Sequence, residues 1–191
     1  MFKKSNLVGL MFAGALVFAA CDSKVEHQAE KTGGEAGEER AQKNEDMRED
    51  FNSVWEQYLE VKDALVASQA NDVVREAGEL VHEVSQVDRY DATSDKRQQW
   101  VAYVPKFTAA IQKVSATTDM AQQRLAFQEV SKVMEEGLKT FKLDGKTAYK
   151  QHCPMAFNNK GGTWFSDDKE IENPYEPTMK TCGSVEATMA F

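Results

Sequence analysis

Apolar residues recur every three or four positions in four separate stretches of the chain between residues 51 and 141. This spacing places the apolar side chains on one side of a helix and is typical of amphipathic helices. Four helices joined by short loops predict a mainly α fold, an antiparallel four-helix bundle over residues 46–143. The predicted core stripes are Phe51, Val54, Tyr58, Val61 and Leu65; Val73, Ala77, Leu80, Val84 and Val87; Trp100, Val104, Phe107, Ile111 and Val114; and Phe127, Val130, Met134, Leu138 and Phe141.

Polar residues between the stripes predict where the helices begin. Asn71-Asp72 is predicted to cap the second helix. Asp119, with Gln122 three residues later, is predicted to cap the fourth. Pro105 predicts that the third helix is kinked or begins late. Glu79 and His82 match the Glu-x-x-His motif of di-metal bundles once, whereas such bundles need it twice, so His82 is predicted to lie on the surface.

The composition changes after Phe141, where glycine, proline and asparagine become frequent. Such residues favour turns and irregular backbone over a fifth long helix. Residues 144–191 are therefore predicted to form an irregular cap with short strands, packed on the bundle. Its expected apolar anchors are Trp164, Phe165, Ile171 and Tyr175.

The segment 1–20 has the pattern of a secretory signal peptide. Lys3 and Lys4 precede an apolar run from Leu7 to Ala20, which is short for a membrane span. The run ends at Cys21, and Leu16 to Cys21 resemble the lipobox of bacterial lipoproteins, with Phe18 where leucine is usual. We therefore expect cleavage before Cys21 and lipidation of its thiol. Residues 21–45 contain few apolar side chains and predict a flexible acidic tether.

The charge of the chain argues against nucleic acid as a partner. The formal net charge is −8, and it becomes −10 without the segment 1–20, which holds two lysines and no acidic side chain. The phosphates of nucleic acids attract basic protein surfaces, and binding to anionic lipid headgroups also requires a cluster of basic residues. The expected contact with a membrane is therefore the lipid alone.

Soft metal donors are concentrated in the cap. Cys153 and Met155 are two residues apart, and Met179 and Cys182 are three apart, so each pair can share one side of a strand or a helical turn. Thiolate and thioether ligands favour Cu(I) or Ag(I) over hard cations. These four residues, with His152 as a further candidate, form a predicted metal site that Trp164 can cover.

A disulfide is the alternative use of the same cysteines. If Cys21 is lipidated, Cys153 and Cys182 are the two that remain, in a compartment that permits disulfides. The methionines would then fill gaps in the packing. The residues alone leave both interpretations open.

Two blocks near the C-terminus carry a resemblance to a known family: Cys153-Pro154-Met155-Ala156, and Asn173-Pro174-Tyr175 followed by Met179 and Cys182-Gly183. With Tyr149, Gly162, Trp164, Ser166 and Ile171 between and around them, they resemble a bacterial envelope domain of unknown function. That family occurs as small lipoproteins and is also appended to the periplasmic adaptor subunits of copper/silver efflux systems. The resemblance covers about residues 50–186, and the chain has Glu176-Pro177 where the family usually has Phe-Gly.

The resemblance implies a role in heavy-metal handling. The sequence thus predicts a lipid-anchored protein of the bacterial cell envelope, facing the periplasm, that binds or hands over Cu(I) or Ag(I). A heavy-metal efflux adaptor or a metallochaperone is the expected protein partner. The alternative is a structural or interaction domain with a cap stapled by a Cys153–Cys182 disulfide. No enzyme is predicted, because His152 and Cys153 are chain neighbours, an awkward geometry for a base and its nucleophile.

Overall fold

A computed structural model describes residues 32–87 and 95–191. The predicted signal peptide and the predicted lipidation site Cys21 lie outside these residues.

Four helices pack on one another in chain order, α1 on α2, α2 on α3 and α3 on α4, so the predicted bundle is confirmed. No helix in the part of the chain that the structure describes is long and apolar enough to cross a membrane. The helices are α1 (Thr32–Val66), α2 (Ala70–Gln86), α3 (Asp95–Ser115) and α4 (Met120–Thr140).

The four predicted stripes form the core. Nineteen of their twenty residues are buried, and Val104 is partly buried against them. Large aromatic rings fill the middle, and Tyr58 stacks on Phe127 with ring centroids 5.1 Å apart, which joins α1 to α4. Gly137 of α4 lies in this packing, since a Cβ there would stand 2.6 Å from the Tyr103 hydroxyl and 2.7 Å from the Phe51 ring. The bundle therefore has a dense core of its own.

The helix ends agree with the sequence in part. Asp119 caps α4 by accepting hydrogen bonds from the amides of Ala121 and Gln122, at 2.8 and 3.1 Å. The prediction for α2 is wrong, because that helix begins at Ala70, before Asn71-Asp72, and Gln69 precedes it without a side-chain cap. The third helix begins at Asp95 and continues through Pro105.

The segment 32–45, predicted as part of a tether, belongs to α1. It is polar, but nine of its fourteen residues are Glu, Ala, Arg, Lys or Gln, which are good helix formers even without an apolar stripe.

The cap contains a three-stranded antiparallel sheet in the order β2-β1-β3. Its elements are β1 (Thr147–Cys153), the short helical turn α5 (Ala156–Asn159), β2 (Gly162–Ser166) and β3 (Ser184–Ala190). β2 lies against α4. Lys150 pairs with Ala187 and Gln151 pairs with Val185, so Glu186 is an extra residue that bulges from β3.

Candidate functional site

The two cysteines of the cap lie where β1 ends and β3 is about to begin. Cys153 and Cys182 form a disulfide, with Cα atoms 5.5 Å apart, a usual separation for a disulfide. Cys153 is fully buried and Cys182 is partly buried. The sheet itself keeps the two segments together, because His152 pairs with Ser184 directly beside the disulfide.

Each methionine of the predicted site lies in a turn next to one of the cysteines. Met155 is 47% exposed and precedes the turn α5. Met179 is partly buried, and its amide donates to the carbonyl of Glu176 at 3.0 Å. The carbonyl of Met179 accepts from the amide of Cys182, also at 3.0 Å. Neither methionine belongs to the buried core of the described residues, so both are accessible from the surface of the cap.

His152 lies on the other face of β1 from Cys153, because successive side chains of a strand alternate between faces. Its Nδ1 is 2.9 Å from the hydroxyl of Thr163. The ring covers Gly161, whose φ is 82° and where a Cβ would stand 2.7 Å from the ring. His152 and Cys153 of the predicted metal site therefore lie on opposite faces of the strand.

Trp164 shares a face of the sheet with Cys153. It pairs with Gln151, two residues before Cys153, and such diagonal neighbours are within reach of an aromatic side chain. The indole is fully buried, and its far edge would meet a Cβ at Gly183 at 3.0 Å. Trp164 therefore packs beside the disulfide, beneath the sheet.

The turn after Met155 has an unusual backbone. Phe157, Asn158 and Asn159 have φ of 53°, 60° and 65°, in the left-handed region. Asparagine tolerates this region, whereas for phenylalanine it costs about 1–2 kcal/mol. A side-chain oxygen of Glu176 accepts a hydrogen bond from the Phe157 amide at 3.2 Å, and the Phe157 ring lies 5.0 Å from that of Tyr175. The neighbouring loop thus holds Phe157 in this conformation.

A buried hydrogen-bond chain fixes the cap on the bundle. The Tyr58 hydroxyl of α1 lies 2.8 Å from the Ser131 hydroxyl of α4, which lies 3.3 Å from that of Tyr175. Tyr58 also accepts from the Phe165 amide at 3.1 Å, and Tyr175 donates to the Thr163 carbonyl at 2.7 Å. Burial raises the pKa of Tyr58 and of Tyr175 well above the ordinary value of tyrosine. Both hydroxyls therefore stay protonated to a higher pH than that of an exposed tyrosine.

Arg124 of α4 makes a second connection to the cap. Its guanidinium donates to the Pro174 carbonyl at 3.1 Å, and to the Leu65 carbonyl and the Ser68 hydroxyl near the end of α1. Burial lowers the pKa of Arg124, and the nearby charge of Glu176 acts in the opposite direction. Since these partners are mostly carbonyls, the sequence holds no charge pattern that could reveal them.

The donors found in the described residues limit the possible chemistry. No group of three or more His, Cys, Asp or Glu side chains in residues 32–87 and 95–191 could hold a metal ion. His82 is exposed on α2, as predicted. In the disulfide form, Cys153 and Cys182 are not thiolate ligands, and two-electron reduction by a dithiol would produce two neighbouring thiols.

Comparison with known families gives one match. Residues 54–146 match the model of a family described as "Protein of unknown function (DUF3347)". The match begins within α1, covers α2, α3 and α4, and ends at Lys146, before the first strand of the cap. No curated protein and no solved structure gave a significant match.

Proposed function

We propose that this is a lipid-anchored, non-enzymatic envelope protein that binds or hands over Cu(I) or Ag(I) when Cys153 and Cys182 are reduced. The observation that carries the proposal is the position of the two cysteines, 5.5 Å apart at their Cα atoms and each beside a methionine-bearing turn. In the proposed site the two thiolates are the strong ligands, and Met155 and Met179 supply thioethers.

The chemistry of these ligands fits transfer of a soft cation. Cu(I) and Ag(I) prefer sulfur, and a thioether carries no charge, so it binds more weakly than a thiolate. Met155 is half exposed, which suits a ligand that meets an incoming ion first. His152 is the weakest candidate of the predicted set, because it lies on the other face of β1 and contacts Thr163. Trp164 would cover the site from below the sheet.

The cellular setting of the proposal comes from the N-terminal pattern. A basic start, the apolar run from Leu7 to Ala20 and Cys21 predict export and a lipid anchor, with the protein facing the periplasm. A heavy-metal efflux adaptor or a metallochaperone is the proposed protein partner. Such a partner would exchange the ion with the exposed side of the cap.

Anaerobic titration with Cu(I) tests the proposal. The protein is the chain from residue 21 onward with Cys21→Ser, fully reduced, and a chromophoric Cu(I) chelator acts as competitor. We expect one Cu(I) per chain and no binding by the oxidised protein. Replacing Met155 and Met179 together by leucine should weaken binding by about tenfold or more, since loss of even an outer partner of a metal site costs about 10–100-fold.

Met189 offers a matched control for the methionines. It is also partly buried in the cap, but it lies in β3 opposite Ala148, far along the strand from Cys182. The variant Met189→Leu should bind Cu(I) as the parent does. Stoichiometric binding that survives the loss of both cysteines, or no binding by the reduced parent, would refute the proposed site.

The disulfide supports a second candidate, a structural or interaction domain whose cap is permanently stapled. Cys153 is fully buried, so reductants have little access to it. Under this candidate the protein isolated from the periplasm contains no free thiol, and a dithiol at millimolar concentration leaves the disulfide intact in the folded state. Counting thiols in that protein, before and after mild reduction, separates the two candidates.

A further inference from the structure

Two different links join the turn at Met155 to the turn at Met179. The first is the disulfide, with the pairing of His152 and Ser184 beside it. The second is the contact of Phe157 with the loop before Met179, in which its amide donates to the side chain of Glu176 and its ring packs on Tyr175. The sheet pairing would remain after reduction and keep the cysteines together, but it does not include either methionine.

We propose that Glu176 is a positioning residue that holds the Met155 turn against the Met179 turn after reduction, so that both thioethers can reach a cation bound by the cysteine pair. This inference rests on the proposed function. Glu176 reaches both turns, because its side chain binds the Phe157 amide at 3.2 Å and its carbonyl accepts from the Met179 amide at 3.0 Å. One residue therefore connects the two segments that carry the thioethers.

The strained turn gives this link its importance. Phe157 holds a φ of 53°, which persists only if its surroundings impose it. The contacts from outside the turn are the Glu176 side chain and the ring of Tyr175, both from the loop that leads to Met179, and the Asn159 amide donates to the Met155 carbonyl within the turn at 3.2 Å. Without the hydrogen bond, Phe157 can return to a right-handed or extended backbone, and the turn that begins at Met155 then changes direction.

The loop that carries Glu176 is itself fixed to the bundle. Arg124 holds the Pro174 carbonyl, and the Asn173 side chain accepts from the Tyr175 amide at 2.9 Å and donates to the Met179 carbonyl at 3.2 Å. Glu176 therefore starts from a rigid position, and the Met155 turn is the part that moves if the link is lost.

The decisive variants are Glu176→Ala and Glu176→Gln. Alanine removes the acceptor, whereas the amide oxygen of glutamine can still accept from the Phe157 amide. Glu170→Ala is the matched control, because Glu170 is an exposed glutamate of the same loop and its carbonyl, which Gln151 uses, is unchanged. The parent and the three variants all carry Cys21→Ser. Each is reduced and titrated with Cu(I) against the same competitor.

We expect Glu176→Ala to weaken Cu(I) binding by about tenfold, in the range for an outer partner of a metal site. Glu176→Gln and Glu170→Ala should stay within about twofold of the parent, since neither removes the acceptor. In the Met155→Leu background, Glu176→Ala should have almost no further effect, because Glu176 acts through Met155. Additive losses in this double-mutant cycle would overturn the positioning role.

A measurement without metal separates failure of this inference from failure of the proposed function. Amide hydrogen exchange of the reduced protein should show the Phe157 amide protected, with exchange about tenfold faster in Glu176→Ala and unchanged in Glu176→Gln. If the parent binds no Cu(I) but Glu176→Ala speeds the exchange of Phe157, the proposed function alone fails. If the parent binds Cu(I) and Glu176→Ala changes neither the affinity nor the exchange of Phe157, the inference alone is overturned.

Discussion

Opening the Cys153–Cys182 disulfide is the perturbation whose effect on stability can be worked out most directly. The two cysteines are separated by 29 positions in the sequence. In the chain-entropy model, the disulfide lowers the conformational entropy of the unfolded chain. Opening a loop of this length therefore lowers the free energy of unfolding by about 3.5 kcal/mol. For a chain of this size each kcal/mol corresponds to about 2–4 °C in melting temperature, so reduction should lower Tm by about 7–14 °C.

The hydrogen bonds between cap and bundle determine whether reduction destabilises the cap alone or the whole domain. Tyr58 and Ser131 of the bundle bind Tyr175 and the Phe165 amide of the cap in a buried chain. Because neither part can unfold without exposing these groups, we expect cap and helices to unfold in one transition. Far-UV circular dichroism of the helices and hydrogen exchange of buried cap amides, such as that of Phe165, should therefore report the same loss of stability on reduction.

The assay compares oxidised and reduced protein in urea and thermal unfolding, in the Cys21→Ser background, with thiols counted at each point. The control is the variant in which both cap cysteines are alanine, which should not respond to the dithiol. A shift below about 1 kcal/mol would refute the loop argument, for which the model gives about three times as much. Two separated transitions would refute the coupling of cap and bundle.

Three further predictions concern buried tyrosines and two helix glycines. Tyr58→Phe leaves the Phe165 amide without its acceptor and should cost about 1–3 kcal/mol, whereas Tyr103→Phe should be nearly neutral, since the Tyr103 hydroxyl has no hydrogen-bond partner among the described residues. Gly137→Ala should destabilise the protein by about 1–2 kcal/mol, because the new Cβ overpacks the core by more than the gain in helix propensity. Gly78→Ala should stabilise the protein by up to about 1 kcal/mol, because there is open space around Gly78. Stability should fall above about pH 10, because burial raises the pKa of Tyr58, Tyr103 and Tyr175, so that the unfolded chain loses these protons first.

Each of these has a direct readout. Urea unfolding at neutral pH gives the free energy of unfolding of each variant. Equal decreases for the two tyrosine variants, or an increase for Gly137→Ala, would contradict the packing and hydrogen bonds of these residues. For the alkaline prediction, unfolding midpoints are measured from pH 8 to 11 while tyrosine ionisation is followed by absorbance. Three tyrosines that ionise near pH 10 without loss of helix would contradict it.

The sequence predicted the helical part of the fold because one physical signal determines it. The stripe residues, such as Phe51 and Leu65, recur at the helical period, and burial of that stripe decides which side faces the core. The cap is different, since its sheet pairs β1 both with the next strand along the chain and with one near the C-terminus. Pairing over such separations leaves no local periodicity, and the strand order was therefore not predictable.

The site was predictable in its donors but not in their arrangement. The spacing of Cys153, Met155, Met179 and Cys182 identifies the sulfur residues and leaves both interpretations of the cysteines open. The left-handed backbone of Phe157 has no signal in the sequence, because phenylalanine rarely adopts it and glycine usually marks such positions. Nothing in the sequence marks Glu176 as a partner of Phe157, because its bond to the Phe157 amide depends on tertiary structure.

The stability estimate bears on whether a metal-binding state can exist. Domains of ordinary size have unfolding free energies of about 5–15 kcal/mol, so a loss of about 3.5 kcal/mol on reduction leaves a folded protein. The cap also keeps its other attachments, because Arg124 still holds Pro174 and β1 still pairs with β3. The disulfide is thus a reinforcement of a cap that is already docked, and reduction should yield two thiols in a folded site.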